Sequence, residues 1–386
     1  MRRIYLLNNI SRVGLKVLPD DYEITDNLRI ADAILVRSAR MHDMELPDSL
    51  LAVARAGTGV NNIPHEALKE SGIVVFYAPG ANANAVKELT IAGLLMAVRN
   101  VYEGMRWVDE NRTDPDLENT IEKAKKAFAG REISGKTIGI IGLGRIGLKL
   151  ADACLALGMD VVGFGSARSR GKAHLFPKGL RVVDTLEELF KASHFISLNL
   201  PLNELTRHTI DEKALELMNE GAILLNFARG GLVDDEALEK AIEAKRIARY
   251  VTDFPNPKTA NMAGVLAIPH LGASSKEAED NSAAMAARQV VDYIDHGNIL
   301  NSVNYPDLDG GSPEDPGRLT VLYRTGSNVF SRVQQEIKKN AAITKAINEE
   351  RVDVGYCLFD TGESLGHMTV QTVASLKGVI RVRKIK

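Results

Sequence analysis

Residues 137–147 read TIGIIGLGRIG, a β-branched apolar run that breaks into Gly142, Gly144 and Gly147 and then continues as a helical pattern. No other stretch constrains the fold as tightly. At GxGxxG spacing the first glycine permits a tight turn and the second lets a pyrophosphate approach the backbone. The third lets helix and strand pack closely, with the phosphates resting on the helix N-terminus. The context agrees on both sides, residues 138–141 reading as a buried parallel strand and 148–157 as the helix. Further strands are predicted at 160–164, 195–198, 222–226, 250–253 and 265–268, with helices at 186–190 and 235–244. Six parallel strands with the glycine turn after the first form a dinucleotide-binding arrangement.

A chain of 386 residues is long enough for two or three domains. The first hundred residues alternate strands at 4–7, 33–36, 51–54 and 74–76 with a helix at 64–69, a small parallel α/β unit. Residues 85–110 and 275–296 carry long helical patterns that can bridge domains. Residues 304–317, rich in Pro, Gly and Asp, read as a linker to a third unit of strand, helix, helix-like stretch, strand, helix and strand. Its strands and helices fall at 319–323, 329–338, 352–359, 366–375 and 379–385. The expected fold class is α/β: two Rossmann-like, doubly wound parallel-sheet domains plus a small C-terminal α+β domain. The expected boundaries are 1–98 with 297–314 for the first, discontinuous domain, 99–296 for the dinucleotide-binding domain and 318–386 for the last unit.

A net charge of -2 provides no global attraction to nucleic acid or an acidic membrane. The longest apolar candidate, residues 91–98, falls far short of the roughly 20 residues of a membrane helix. The start turns polar at Asn8, before a secretory apolar region forms. Cys154 and Cys357 have no metal-ligand spacing and read as reduced packing residues, so no metal site and a cytoplasmic location are expected.

Chemistry collects at three predicted strand ends, where open parallel sheets gather ligands. Arg229, in NFARGG, offers a planar fork for a carboxylate and a charge to polarise an α-keto group. Asp253 ends another strand, where it can accept from an amide or cap a turn. His270, in IPHLGA, has the proton affinity to serve the alkoxide produced when hydride reaches a carbonyl.

The combination of GLGRIG, NFARGG and IPHLGA resembles the D-isomer-specific 2-hydroxyacid dehydrogenases, as do LVRSA around Arg37, RAGTGVNN at 55–62 and PGANANAVKEL at 79–89. The C-terminal unit, opening GRLTVLY, resembles the ACT domain, of ferredoxin-like fold, appended to members that oxidise 3-phosphoglycerate. The resemblance implies Arg229 on the substrate carboxylate, His270 as general acid/base and Asp253 on the nicotinamide carboxamide. It implies cofactor contacts at Gly142, Gly144, Arg145, Ile146, Gly147, Ser166, Arg168, Pro201, Ala228 and Gly272. Gly57, Thr58 and Gly59 would offer N–H groups to the substrate, with Arg37 and Ser38 facing its far end. Lys87 is added as a candidate phosphate contact. The implied reaction is NAD- or NADP-dependent oxidation of 3-phosphoglycerate to 3-phosphohydroxypyruvate, the first step of serine synthesis, in a homodimer or homotetramer closing around its substrate. Reduction of glyoxylate or hydroxypyruvate, or a nucleotide-sensing binding protein on the same fold, are the rivals.

Three departures from the family are expected to matter. Asn256 stands where a glutamate orients the histidine, so a carboxylate is missing from the proton-handling group. Gly165 stands where an acidic residue holds the ribose hydroxyls of NAD, with Ser166, Arg168 and Arg170 behind it, which leans toward NADP. Tyr323, Thr325 and Ala342 replace the effector-binding side chains of serine-sensing ACT domains, so serine inhibition is not expected.

Overall fold

The computed structural model describes all residues except 168–170, 172 and 327. The chain divides into two units, Met1–Asn82 with Lys276–Lys386, and Ala83–Ser275. Both boundaries lie at the starts of the long helices, Ala83–Arg99 and Lys276–His296, rather than at the expected residues 99 and 297. The reason is packing. The first helix buries Val86, Leu94 and Val98 with β-strand residues of the second unit, and the second buries Ala283, Ala286, Val290 and Tyr293 in the core of the first. The long pattern at 85–110 is two helices, Ala83–Arg99 and Val101–Asn111, because Asn100 adopts a left-handed φ of 48° between them.

In the first unit β1 (Arg2–Leu6), β2 (Tyr22–Thr25), β3 (Ala33–Val36), β4 (Ala52–Arg55) and β5 (Val74–Tyr77) form a parallel sheet ordered β2-β1-β3-β4-β5. Strand order therefore reverses between β1 and β3, which makes that crevice the ligand position of an open α/β sheet.

The second unit carries β6 (Thr137–Ile141), β7 (Asp160–Phe164), β8 (Leu180–Val182), β9 (Phe195–Leu198), β10 (Ala222–Asn226), β11 (Ile247–Thr252) and β12 (Val265–Ala267). All pair in parallel in the order β12-β11-β10-β9-β6-β7-β8. This is the doubly wound dinucleotide arrangement, with the reversal between β6 and β9. Its apolar strands are covered on both faces, as parallel sheets require.

The last residues form β13 (Gly317–Arg324), β14 (Ile343–Arg351), β15 (Val354–Thr361) and β16 (Val379–Lys384), antiparallel in the order β14-β15-β13-β16, with helices Val329–Lys338 and His367–Ala374. This is a split βαββαβ sandwich, the ferredoxin-like topology. The helix-like stretch before residue 352 is in fact β14. Its residues, ITKAINEER, favour a helix locally, but pairing with β15 along its length overrides that preference. One face of β13 and β15 packs on the two helices through Leu319, Val321, Cys357 and Phe359. The other, through Leu322, Tyr356 and Leu358, joins the core of the first unit. Arg318 is 1% exposed, bonds both oxygens of Asp360 at 2.6 and 2.7 Å, and donates to the carbonyls of His296 and Gly310. The expected linker is packed too: Asn304 is buried and bonds Val75 N–H and the carbonyls of Ile73 and His65.

Candidate functional site

The glycine turn follows β6 at the reversal point. Gly142 has a φ of 104°, and a Cβ there would collide with the carbonyl of Asn199, just past β9. A Cβ on Gly147 would collide with the carbonyl of Gly142, so this glycine sets the helix–strand approach. Gly144 differs: a Cβ there meets no protein atom within 4 Å. It caps helix Arg145–Ala156 with no side-chain cap, which leaves the first-turn N–H groups of Ile146 and Gly147 as donors. Two of the three glycines thus serve the protein's own packing, and the third keeps a path to the helix N-terminus open.

Gly165 and Ser166 follow β7, Pro201 follows β9, and Ala228 and Arg229 follow β10, so every expected cofactor position that is described stands at a carboxyl end of the sheet. Arg168 lies outside the described residues. Asn226 anchors the Arg229 turn. Fully buried, it accepts from the N–H groups of Ala228 and Arg229 at 3.2 and 3.3 Å and donates to the Arg229 carbonyl and the Tyr250 hydroxyl, both at 2.9 Å. Burial pushes the Tyr250 phenol up to about 12, so its hydroxyl stays protonated.

Arg229 lies with its guanidinium 5.2 Å from the centre of the Phe254 ring, and the His270 ring packs 4.3 Å from the same ring. Phe254 thereby positions both chemistry-bearing side chains. Next to it, Asp253 is 1% exposed. Its Oδ2 accepts the Gly272 N–H at 2.8 Å, and its Oδ1 is buried without a partner. Burial raises its proton affinity above that of an ordinary carboxylate, opposed by the Gly272 N–H and by the charges of His270 and Arg229. One buried acceptor oxygen lacking a donor fits the amide of a nicotinamide carboxamide. Asn256 is not brought to His270. Its amide donates to Asp235 at 2.6 Å and its carbonyl accepts from the N–H groups of Lys258 and Thr259 in an Asx turn.

The expected substrate residues of the first unit gather at its own reversal point. Asn8, just beyond β1, accepts through one oxygen from the N–H groups of Arg37, Ser38 and Ala39, beyond β3. The Arg37 side chain, half-exposed, pairs with Glu279 at 2.6 Å. At the Gly57–Gly59 turn, Gly57 N–H bonds the Arg55 carbonyl at 2.8 Å and Thr58 reaches Asn82. Lys87 belongs to the second unit and lies 3.4 Å from Glu88.

Two contributors were not singled out from sequence. Arg55 ends β4, donates from Nε to the Arg37 carbonyl at 3.0 Å, and lays its guanidinium where a Gly57 side chain would stand. A charged residue closing the apolar run AVAR was the available signal. Asn226 closes AILLN in the same way. Among the described residues no His, Cys, Asp and Glu group is arranged to hold a metal, and no helix is long and apolar enough to cross a membrane. In the C-terminal unit Tyr323 is buried and bonds Asn348 and Glu350, while Thr325 bonds the Val352 carbonyl.

Residues 91–272 match the family model of the D-isomer specific 2-hydroxyacid dehydrogenase NAD binding domain. A D-3-phosphoglycerate dehydrogenase of Methanocaldococcus jannaschii is 33% identical over 314 residues, covering 79% of this chain and 58% of that relative. This chain therefore spans less than two thirds of that protein's length. A hydroxypyruvate reductase of Thermotoga maritima is 35% identical over 285 residues, 70% of this chain and 88% of the relative. A crystal structure of NAD+-bound 3-phosphoglycerate dehydrogenase from Entamoeba histolytica shares the fold, with a TM-score of 0.60 at 23% identity over 80% of this chain and 99% of that one.

Proposed function

The chain belongs to the D-isomer specific 2-hydroxyacid dehydrogenase family, and from that premise we propose that it oxidises 3-phosphoglycerate to 3-phosphohydroxypyruvate with NAD or NADP. When bound, the nicotinamide supplies the hydride acceptor for C2. The turn at Gly142, Gly144 and Gly147, with Arg145 and Ile146, holds the pyrophosphate, and Pro201, Ala228 and Gly272 border the rest of the cofactor. Asp253 Oδ1 accepts from the carboxamide. Arg229 grips the substrate carboxylate through its fork and draws electron density from the C2 oxygen. His270 receives the hydroxyl proton in the oxidation and returns it in the reverse reaction. With Asn256 committed to Asp235, the imidazole is oriented by packing on Phe254 rather than by a carboxylate.

The observation that carries this reading is the grouping of Arg229, Asp253 and His270 around Phe254, with one buried Asp253 oxygen lacking a donor. Arg37 and Arg55 at the first unit's reversal point support a phosphorylated acid. The same reading gives Ser38, Thr58, Gly59 and Lys87 contacts to substrate, and a homodimer or homotetramer in the cytoplasm. Gly165, in place of the ribose-binding carboxylate, supports use of NADP. The Arg37–Glu279 pair favours a second reading, reduction of unphosphorylated hydroxypyruvate or glyoxylate, because it neutralises one of the two arginines.

Turnover of 3-phosphoglycerate, phosphohydroxypyruvate, hydroxypyruvate and glyoxylate with each cofactor tests the proposal. The phosphorylated pair is expected to have the highest kcat/KM, and His270→Ala to lose turnover while still binding cofactor. A preference for glyoxylate would transfer the assignment to the second reading. Unchanged turnover in His270→Ala would overturn the mechanism itself.

A further inference from the structure

The parallel sheet of the second unit has two ends, and the proposed chemistry uses only the carboxyl one. At the other end, where β6, β9 and β10 begin, lies a cavity of about 250 Å³ whose lining includes Arg131, Lys136, His194, Arg249, Asn100 and Asn219. Strands of four to five residues separate the two ends by roughly 15 Å at about 3.3 Å per residue. We propose that this cavity binds a small anion, a dicarboxylate or a phosphate, at a site separate from the dinucleotide end.

The charge balance points to an anion. Arg249 is matched by Glu103 at 2.5 Å and approaches Asn100 Oδ1 at 3.5 Å. Arg131 and Lys136, by contrast, have no side-chain partner among the described residues. Glu220 also lines the cavity and is exposed, as are Arg131 and His194, while Lys136 is half-buried, so the lining carries one carboxylate against the unpaired cations. His194 accepts the Thr137 N–H on Nδ1 at 3.1 Å, which assigns the ring proton to Nε2 as a further donor. The excess of cation over carboxylate in this lining, with a neutral imidazole donor beside it, matches a small anion.

The walls are built rather than accidental. A Cβ on Gly130 would collide with the Val98 carbonyl, so this glycine lets residues 129–131 lie against the end of helix Ala83–Arg99. Arg131 N–H then bonds that same carbonyl at 2.9 Å, and Asn100 donates to the Ala129 carbonyl at 3.2 Å. On the far side Asn219 donates to the carbonyls of Lys191 and Ser193 at 3.1 and 2.8 Å. The volume lies below the roughly 300 Å³ at which sites for drug-sized molecules begin, which limits the ligand to a small metabolite.

The inference does not depend on the substrate of the carboxyl end, and the test keeps the two sites apart. The only tryptophan, Trp107, packs 6.2 Å from Phe128, next to the wall segment, and serves as a reporter. In an Arg229→Gln background, which disables the other anion site, succinate and inorganic phosphate are titrated separately by calorimetry and Trp107 fluorescence. Saturable one-site binding of at least one of them is expected. Arg131→Ala and Lys136→Gln should each weaken it at least tenfold, with NADPH affinity and the far-UV circular dichroism spectrum unchanged. Affinity unaltered by both substitutions, or no binding of either anion at tens of millimolar, would overturn the proposal.

Discussion

Replacing Gly144 and Gly147 one at a time by alanine separates the two jobs of the glycine turn. At Gly144 the backbone has φ −91° and ψ −164°, an extended conformation that alanine adopts without strain, and the added methyl meets no protein atom within 4 Å. Removing glycine's extra freedom from the unfolded chain then stabilises by about 0.4–1 kcal/mol, so the melting temperature holds or rises by about 1–3 °C. The methyl does occupy the approach to the helix N-terminus. Losing one charge-assisted hydrogen bond there costs about 1.5–3 kcal/mol, roughly a 10- to 150-fold weaker cofactor Kd. At Gly147 the methyl would collide with the Gly142 carbonyl, and overpacking costs about 1–3 kcal/mol. Its melting temperature should therefore fall by several degrees. Differential scanning fluorimetry and NAD(P)H fluorescence titration measure both quantities on the same samples. Wild-type cofactor affinity in Gly144→Ala would refute the reasoning, since the open space beside that glycine would then have no function in binding.

Arg229→Gln keeps a donor but loses the charged fork, and kcat/KM should fall roughly 10- to 150-fold, from the about 1.5–3 kcal/mol of a charged hydrogen bond; steady-state kinetics checks it. The raised proton affinity of Asp253 means the folded state holds that proton more tightly than the unfolded chain. The stability this contributes is present in acid and is lost as pH rises above the ordinary carboxylate range. Asp253→Asn should therefore gain melting temperature relative to wild type as the pH goes from about 4 to 7, read by thermal denaturation across that range. Arg318→Met strands the buried Asp360 carboxylate, and a loss of about 3–5 kcal/mol is expected, seen as a melting temperature lower by more than about 5 °C. In cofactor kinetics NADP should be used at least as efficiently as NAD, with Gly165→Asp reversing the ratio; a strong NAD preference in the wild type would contradict the reading of Gly165.

The placement of the candidate site was legible because it is written locally. The strand–glycine–helix pattern at 137–147 and the polar residues that close apolar strands at Arg229, Asp253 and His270 are short-range signals. They reappear as the reversal point and the carboxyl ends of one parallel sheet. The misses share a cause. β2 and β8 are edge strands of four and three residues with mixed exposure, too short for a period to show. β14 reads locally as helix and is a strand only because β15 pairs with it. Asn256 sits at the expected place in the chain, yet its bond to Asp235, 21 residues away, turns it from His270.

The amino-acid sequence by itself determined the fold class, the dinucleotide turn and which side chains are candidates for the chemistry, because periodicity and glycine spacing act over a few residues. Only the tertiary structure decided which unit each long helix joins, that Phe254 holds Arg229 and His270 together, and that one Asp253 oxygen is left without a donor. The cationic cavity at the opposite end of the sheet was likewise decided there. Those outcomes rest on contacts between residues tens to hundreds of positions apart, and no local pattern carries that information.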